Sequence, residues 1–309
     1  MTLVFFGAGA FGLPSLDALL ASDHRLAAVV TSPEKPSGRH LAPKPSAVKL
    51  WAIQNHIRVI EMASSKESEC FAQLKEIKPD LFIVIAFGKI LRKNYLELPV
   101  LGAINVHGSL LPKYRGASPM QSAVLGGDSE TGVSVMRMVE ELDAGEVCLT
   151  KKISLQDKET IVTLEPKLSA LASHALMESL GPIEARKADW IAQDPNRATY
   201  CAKIKKEDGR LRWDLSAQQL DRQVRAYLAW PGSYTLCKGK RLVVKVSRPE
   251  ISTSPCKHGQ IQRVSPAGIA VATSDGCLVL EELQLEGRKT LRASEFLKGT
   301  PLKAGELLE

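Results

Sequence analysis

No stretch of the chain is apolar for long enough to span a bilayer, and no basic segment precedes the first apolar run at Leu3–Phe6. Neither a transmembrane helix nor a targeting segment is therefore expected, which points to a cytoplasmic protein with no membrane partner. Paired cysteines are also missing. Cys70, Cys148, Cys201, Cys237, Cys256 and Cys277 are scattered without a Cys-x-x-Cys motif, and no histidine stands at ligand spacing beside one. That pattern argues against structural zinc and fits free thiols in a reducing compartment. No tract is low in complexity or has a disordered composition.

What is present suffices for two domains. The 309 residues are 44% hydrophobic, enough for two ordinary cores. The net charge is +7, and its placement says more than its size. Residues 1–190 carry 21 basic and 21 acidic side chains, whereas residues 191–309 carry 20 and 13. A basic field beside a neutral domain suits a polyanionic partner, because Lys and Arg gain by displacing counterions from phosphates. A soluble domain that is merely basic fits the same count, so charge alone does not name the partner.

A further absence decides how the amino terminus reads. Leu3–Phe6 runs into Gly7-Ala-Gly9-Ala-Phe-Gly12 and a helix through Leu16, Leu19 and Leu20. Gly-x-Gly-x-x-Gly thus stands after a strand and before a helix, where dinucleotide-binding folds place it. That fingerprint needs an acidic residue closing the second strand to hold the ribose hydroxyls. Here Leu26–Val30 ends in Thr31-Ser32-Pro33, and Glu34 comes only after the proline. A bound dinucleotide is not expected. Residues 32–46 read as a long loop stiffened by four prolines, with Arg39 near its tip. Helices over 48–54 and 67–77 then alternate with a strand near Val59 and another at Leu81–Ala86. The apolar run Leu81-Phe-Ile-Val-Ile-Ala fits a strand covered on both faces. The pattern is that of an α/β, doubly wound, Rossmann-like core.

The chemistry concentrates between Gly102 and Glu146. A short strand over Ala103–His107 would put Asn105 and His107 on one side of the sheet, at the carboxyl edge where such sheets bind ligands. Asp143 precedes a small-residue turn between strands expected at 131–138 and 146–153. From there it could reach the imidazole, to keep it protonated or to set its tautomer. A strand-end histidine alone is more often a packing residue than a catalyst. The helix expected over 159–180 carries His174 as a surface or packing residue, with Leu164, Leu168, Leu171, Ala175 and Leu176 on its apolar face.

The longer constellation is distinctive. Asn105-x-His107-x-Ser109-Leu110-Leu111-Pro112-x-x-Arg115-Gly116, followed 27 residues after Arg115 by Leu142-Asp143-Ala144-Gly145, resembles the 10-formyltetrahydrofolate-dependent formyltransferases. The resemblance implies catalysis by Asn105, His107 and Asp143. It also implies a folate pocket formed by Ser109, Leu110, Leu111, Pro112, Phe87, Gly88, Ile90 and Leu142, with 10-formyltetrahydrofolate as co-substrate and no metal. Read from the sequence alone, Phe87 is equally a core residue.

Further segments resemble the methionyl-tRNA formyltransferases in particular. The proline loop has the Pro36-x-Gly38-Arg39 core and the closing Pro43-x-Pro45-Ser46-x-Val48-Lys49. It departs in carrying His40-Leu41 after Gly38-Arg39, which leaves Arg39 as its chief cation. Residues 199–213 match the pattern of that family's basic linker, and otherwise read as a solvated charge run. Short strands expected at 233–236, 241–246, 268–272 and 277–285, after a helix over 217–228, read as a small OB-like β-barrel. The implied organisation is a formyltransferase domain over 1–188, a basic linker over 189–208 and the barrel over 209–309. The implied activity is formylation of methionyl initiator tRNA by a monomer of bacterial type, with Arg39, Lys203 and Lys206 contacting the tRNA. A sugar-nucleotide N-formyltransferase using the same donor is the alternative. A glycinamide ribonucleotide transformylase, and an RNA-binding protein on an inactive formyltransferase fold, are more distant ones.

Overall fold

The apolar runs of the amino-terminal half assemble into a seven-stranded sheet. A computed structural model describes residues 1–37, 42–63, 67–252 and 256–309. Along the chain come β1 (Thr2–Gly7), α1 (Leu13–Leu20), β2 (Arg25–Thr31), β3 (Lys35–Ser37), β4 (Ala42–Lys44), α2 (Ala47–Gln54), β5 (Val59–Glu61) and α3 (Glu67–Ile77). There follow β6 (Leu81–Ile85), α4 (Lys93–Leu96), β7 (Ala103–His107), β8 (Arg115–Gly116), α5 (Pro119–Gly126), β9 (Glu130–Arg137), β10 (Val147–Ser154), α6 (Ile161–Glu184) and β11 (Tyr200–Cys201). Two compact units result. The first holds Met1–Pro119, Glu130–Ser154 and Glu165–Ala202, and the second Met120–Ser129, Leu155–Leu164 and Lys203–Glu309.

In the first unit the strand order is β10-β9-β7-β6-β1-β2-β5. The five strands from β5 to β7 are parallel, whereas β9 is antiparallel to both β7 and β10. The chain winds outward from β1 through β2 to β5, then returns to β6 on the other side of β1. A crevice therefore opens at the carboxyl ends of β1 and β6, with β7 next in line. Val4 and Phe6 pack with Phe82, Val84, Cys70 and Leu74 on one face. Their neighbours Leu3, Phe5 and Ile83 point the other way and are equally buried. Burial on both faces is why these strands read as continuous apolar runs rather than alternating ones.

The sequence reading of 32–46 as a loop needs correction. Its described legs pair as an antiparallel ribbon, β3 with β4, in the register Lys35↔Lys44, Pro36↔Pro43 and Ser37↔Ala42. A two-stranded ribbon is all edge, so prolines that would break a central strand are accommodated. Arg39 lies outside the described residues. His174 is exposed on α6. No helix among the described residues is long and apolar enough to cross a membrane.

The second unit continues with α7 (Ala217–Ala226), β12 (Ser233–Cys237), β13 (Lys240–Glu250), β14 (Ile261–Ser265), β15 (Gly268–Ala272), β16 (Cys277–Leu285), β17 (Leu291–Arg292) and α8 (Ala293–Gly299). Its strands are antiparallel in the order β12-β13-β16-β15-β14, with β17 beside β16. The carboxyl-terminal residues close this sheet on itself. Leu236 in β12 exchanges hydrogen bonds with Glu309 at 2.6 and 3.0 Å, while Ile261 in β14 donates to the Glu306 carbonyl at 2.8 Å. The small OB-like barrel expected from the strand spacing is thus completed by a stretch with no strand pattern of its own.

β14 and α8 were not anticipated, because Ile261-Gln-Arg-Val-Ser buries only Ile261 fully. α7 opens on a capping box formed by Ser216 and Gln219 and buries Leu220 and Val224, one turn apart. Trp213 joins that core and donates its indole N–H to Thr235 Oγ1 at 3.2 Å. Trp213→Ala is expected to destabilise this unit by about 3–5 kcal/mol, the usual range for deleting a large buried aromatic. Denaturant unfolding followed by circular dichroism measures it, and an unchanged midpoint would remove Trp213 from the core.

Candidate active site

β7 carries Asn105 and His107 two residues apart, facing the same side at the end of the strand. The register Val84↔Asn105 on one flank and His107↔Ser134 on the other fixes both positions. The connection from β9 to β10 then delivers Asp143 to them. Its Oδ2 accepts the Gly116 backbone N–H at 2.8 Å and lies 3.7 Å from His107 Nδ1, and Asn105 Nδ2 is 3.5 Å from Oδ1. His107 Nε2 stands 2.8 Å from the Tyr114 carbonyl oxygen. A carbonyl only accepts, so Nε2 carries the hydrogen and the Nδ1 edge is left for Asp143. The imidazole is 6% exposed and the carboxylate 13%, enough contact with solvent for a small reacting group to meet them.

Asp143 adopts φ +48°, a left-handed conformation that only glycine, asparagine and aspartate take readily. Its loop is held from several directions. Gly145 passes so close to β9 that a Cβ there would lie 1.9 Å from the Arg137 carbonyl oxygen. The Gln193 amide donates to the carbonyls of Asp143 at 2.9 Å and Gly145 at 2.7 Å. Its Oε1 accepts from Arg115 Nε at 3.0 Å, and the buried guanidinium also faces Glu141 at 3.6 Å.

The turn after β7 is fastened by its own side chains and by β11. Ser109 Oγ donates to the Lys113 carbonyl at 2.5 Å, and Ser134 Oγ to the Ser109 carbonyl at 2.8 Å. Thr199 receives the backbone N–H of both Tyr114 and Arg115, and β8 pairs with β11 through Arg115↔Tyr200 and Gly116↔Cys201. Gln193, Thr199 and Cys201 escape sequence reasoning. They sit in a polar run with no periodicity, and these partners lie between 48 and 85 positions earlier in the chain.

The residues implied for the folate fall into two groups. Ser109 is buried with its hydroxyl engaged, and Phe87 is packed edge-on against Phe6 at 5.4 Å, so both offer backbone rather than side chain. Ala86 at φ +50° and Gly88 at φ +70° turn the chain sharply there. Ile90 and Leu142 instead leave apolar surface uncovered, 80% and 52% exposed. Leu110, Leu111 and Pro112 are half-buried. Lys203 and Lys206 are exposed and belong to the second unit.

Among the described residues no group of three or more His, Cys, Asp or Glu side chains is placed to hold a metal ion. Burial pushes the Cys148 thiol up to about 11 and raises those of Cys70, Cys237 and Cys277, which makes these four poor nucleophiles.

Gly116 is the tightest point of the clamp. It has φ +120°, and a Cβ would fall 2.2 Å from the Cys201 carbonyl oxygen. Gly116→Ala is expected to cost about 1–3 kcal/mol in backbone strain alone. It should also part β8 from β11 and open Cys201 to thiol reagents. Native-state labelling with peptide mapping checks this, and a Cys201 as protected as in the wild type would show that the clamp tolerates the methyl.

Comparison with known proteins bears directly on this geometry. A family model described as "Formyl transferase" matches residues 1–180, and one described as "Formyl transferase, C-terminal domain" matches residues 203–301. A protein of Legionella pneumophila named methionyl-tRNA formyltransferase is 39% identical over 311 aligned positions, covering 100% of this chain and 99% of that one. Among solved structures, HypX from Aquifex aeolicus in complex with tetrahydrofolic acid superposes with a TM-score of 0.66 at 17% identity, covering 100% of this chain and 50% of HypX. An N-formyltransferase from Helicobacter canadensis, in complex with folinic acid and dTDP-3-aminofucose, superposes with a TM-score of 0.67 at 15% identity. It covers 94% of this chain and 100% of that one. At these identities the two structures establish likeness of fold.

Proposed function

The chain belongs to the formyl transferase family, and from that premise we propose that it moves the formyl group of 10-formyltetrahydrofolate to the α-amino group of methionyl initiator tRNA. The product is N-formylmethionyl-tRNA for translation initiation. The observation that carries the reading is the convergence of Asn105, His107 and Asp143 at the carboxyl end of β7.

The crevice suits the co-substrate. Exposed Ile90 and Leu142 offer apolar surface to an aromatic ring system, while the backbone of Phe87–Gly88 and of Ser109–Pro112 supplies polar groups beside it. When bound, 10-formyltetrahydrofolate supplies a formyl group activated by its attachment to N10. Asn105 donates a side-chain N–H to the formyl oxygen as negative charge develops there. His107, anchored through Nε2 on Tyr114, presents an Nδ1 edge whose 3.7 Å separation from Asp143 is too long for a hydrogen bond. With both ring nitrogens protonated, Nδ1–H donates to the same formyl oxygen. Preorganised donors of this kind are worth ~3 kcal/mol each. Asp143 orients the imidazole and accepts the proton released by the attacking amine, directly or through water, and that proton goes on to N10 as the bond between N10 and the formyl carbon breaks and tetrahydrofolate leaves.

On the nucleic-acid side, Arg39, Lys203 and Lys206 act with the basic excess after residue 190. The working division is catalysis in 1–188, a basic linker over 189–208 and tRNA contact in 209–309. The free thiols support a reducing, bacterial cytoplasmic setting, and we take the chain to act as a monomer.

Formyl transfer from 10-formyltetrahydrofolate is to be measured with methionyl initiator tRNA, methionyl elongator tRNA and an amino-sugar nucleotide in parallel. Product on the initiator alone is expected, and product on the sugar alone would overturn the assignment of the acceptor. Asn105→Ala, His107→Ala and Asp143→Ala should each lower turnover by about 100-fold or more with tRNA binding nearly intact. Near-normal turnover in one of them would remove that residue from the mechanism. Replacing Arg39, Lys203 and Lys206 together by Ala should weaken tRNA binding. It should also reduce the slope of log affinity against log salt by about 0.7–0.9 for each phosphate that is no longer neutralised. An unchanged slope would exclude these three cations as phosphate ligands.

A further inference from the structure

Asp143 is held in a left-handed conformation in the turn between β9 and β10, and its own side chain contributes only an acceptor to that arrangement. Something else must fix the backbone that carries it. Within the first unit, Gln193 is the residue that bonds to both loops around the carboxylate. Its two amide hydrogens go to the carbonyls of Asp143 and Gly145, at 2.9 and 2.7 Å, and so hold the backbone that leaves the residue whose orientation matters. Its oxygen takes Arg115 Nε at 3.0 Å, and the next residue, Gly116, supplies the N–H that Asp143 Oδ2 accepts at 2.8 Å.

The amide has one orientation that serves these three neighbours. Two carbonyl oxygens need N–H donors and a guanidinium needs an acceptor, so a flip would set like against like. Gln193 is itself placed by the chain on either side. Ile191 exchanges backbone hydrogen bonds with Val147 of β10 at 2.9 and 3.0 Å, and Thr199 to Cys201 bind the turn at Tyr114–Gly116. The polar stretch after α6 is therefore a strap across both loops.

We propose that Gln193 is a positioning residue, which sets the Asp143 carboxylate against Asn105 and His107 by fixing the backbone that leaves it, from the Asp143 carbonyl to that of Gly145. It touches neither acceptor nor folate. This rests on the formyl-transfer reading above, and it adds a determinant of rate outside the motif that carries that reading. Loss of the two donations lets the loop relax from its left-handed turn. Misplacement of a reacting group by about 1 Å lowers rate by about 100-fold, while the binding surfaces stay as they were.

The experiment is steady-state and single-turnover formyl transfer by the full chain, as wild type, Gln193→Ala, Gln193→Glu, Asp143→Ala and the Gln193→Ala/Asp143→Ala double variant. Methionyl initiator tRNA and 10-formyltetrahydrofolate are the substrates. Gln193→Ala should lose about 10- to 100-fold in kcat, with KM for both substrates within about threefold of wild type. Gln193→Glu keeps the volume and the acceptor for Arg115 but donates to neither carbonyl, so it should lose as much. In the Asp143→Ala background the Gln193→Ala change should cost less than about twofold, because the group it positions is gone.

A kcat loss below about threefold in Gln193→Ala, recovery in Gln193→Glu, or full multiplicative losses in the double variant would each overturn the proposal. So would a fall in thermal midpoint with kcat preserved. A wild-type chain that forms no product would overturn the functional reading and this proposal with it. An active wild type with an indifferent Gln193 would overturn only the latter.

Discussion

The structure around the crevice depends on holding one aspartate in a left-handed turn, a conformation that few residues besides glycine, asparagine and aspartate take. Asp143 sits at φ +48° in a loop whose next glycine grazes the Arg137 carbonyl, so there is no slack to take up error. A carboxylate in that position is useful only if its oxygens stay within reach of Asn105 and His107. The Gly116 N–H holds one oxygen, and Gln193 holds the backbone that leaves Asp143. Gly116 is in turn held by β11, which reaches back to it from residue 201.

That arrangement explains the one departure from parallel winding in the sheet. Five parallel strands bring the ends of β1, β6 and β7 to a common edge, but another parallel crossover would send the chain away from that edge. Because β9 runs antiparallel beside β7, its carboxyl end lies beside the start of β7, where the Met138 N–H donates to the Ala103 carbonyl, and its pairing sets Ser134 opposite His107 and Met136 opposite Asn105. The connection to β10 can then return Asp143 to them. Apolar packing on both faces keeps the strands in register, and the register sets which side chains share the edge.

The second unit solves a different problem. Its antiparallel sheet is closed by the carboxyl-terminal residues on β12 and β14, so it leaves little unpaired edge. Trp213, Leu220 and Leu280 fill its interior, which leaves the surface to its cations. The two units thus have separate cores on one chain, and the basic excess lies after residue 190.

Much of this was legible in the sequence. The apolar run from Leu81 marked β6 as a strand covered on both faces. The spacing of Asn105 and His107 alone placed them on one side of β7, because strand periodicity is local. The pairing of β3 with β4, the closure of the barrel by residues 305–309, and the strap formed by Gln193, Thr199 and Cys201 were decided by the tertiary structure. Each depends on meetings between positions with no local pattern, where a backbone carbonyl or N–H is the partner and any residue could have supplied it. Periodicity records which face of an element is buried. It carries no information about which distant backbone atoms that element will meet, and in this protein those meetings hold the carboxylate in place.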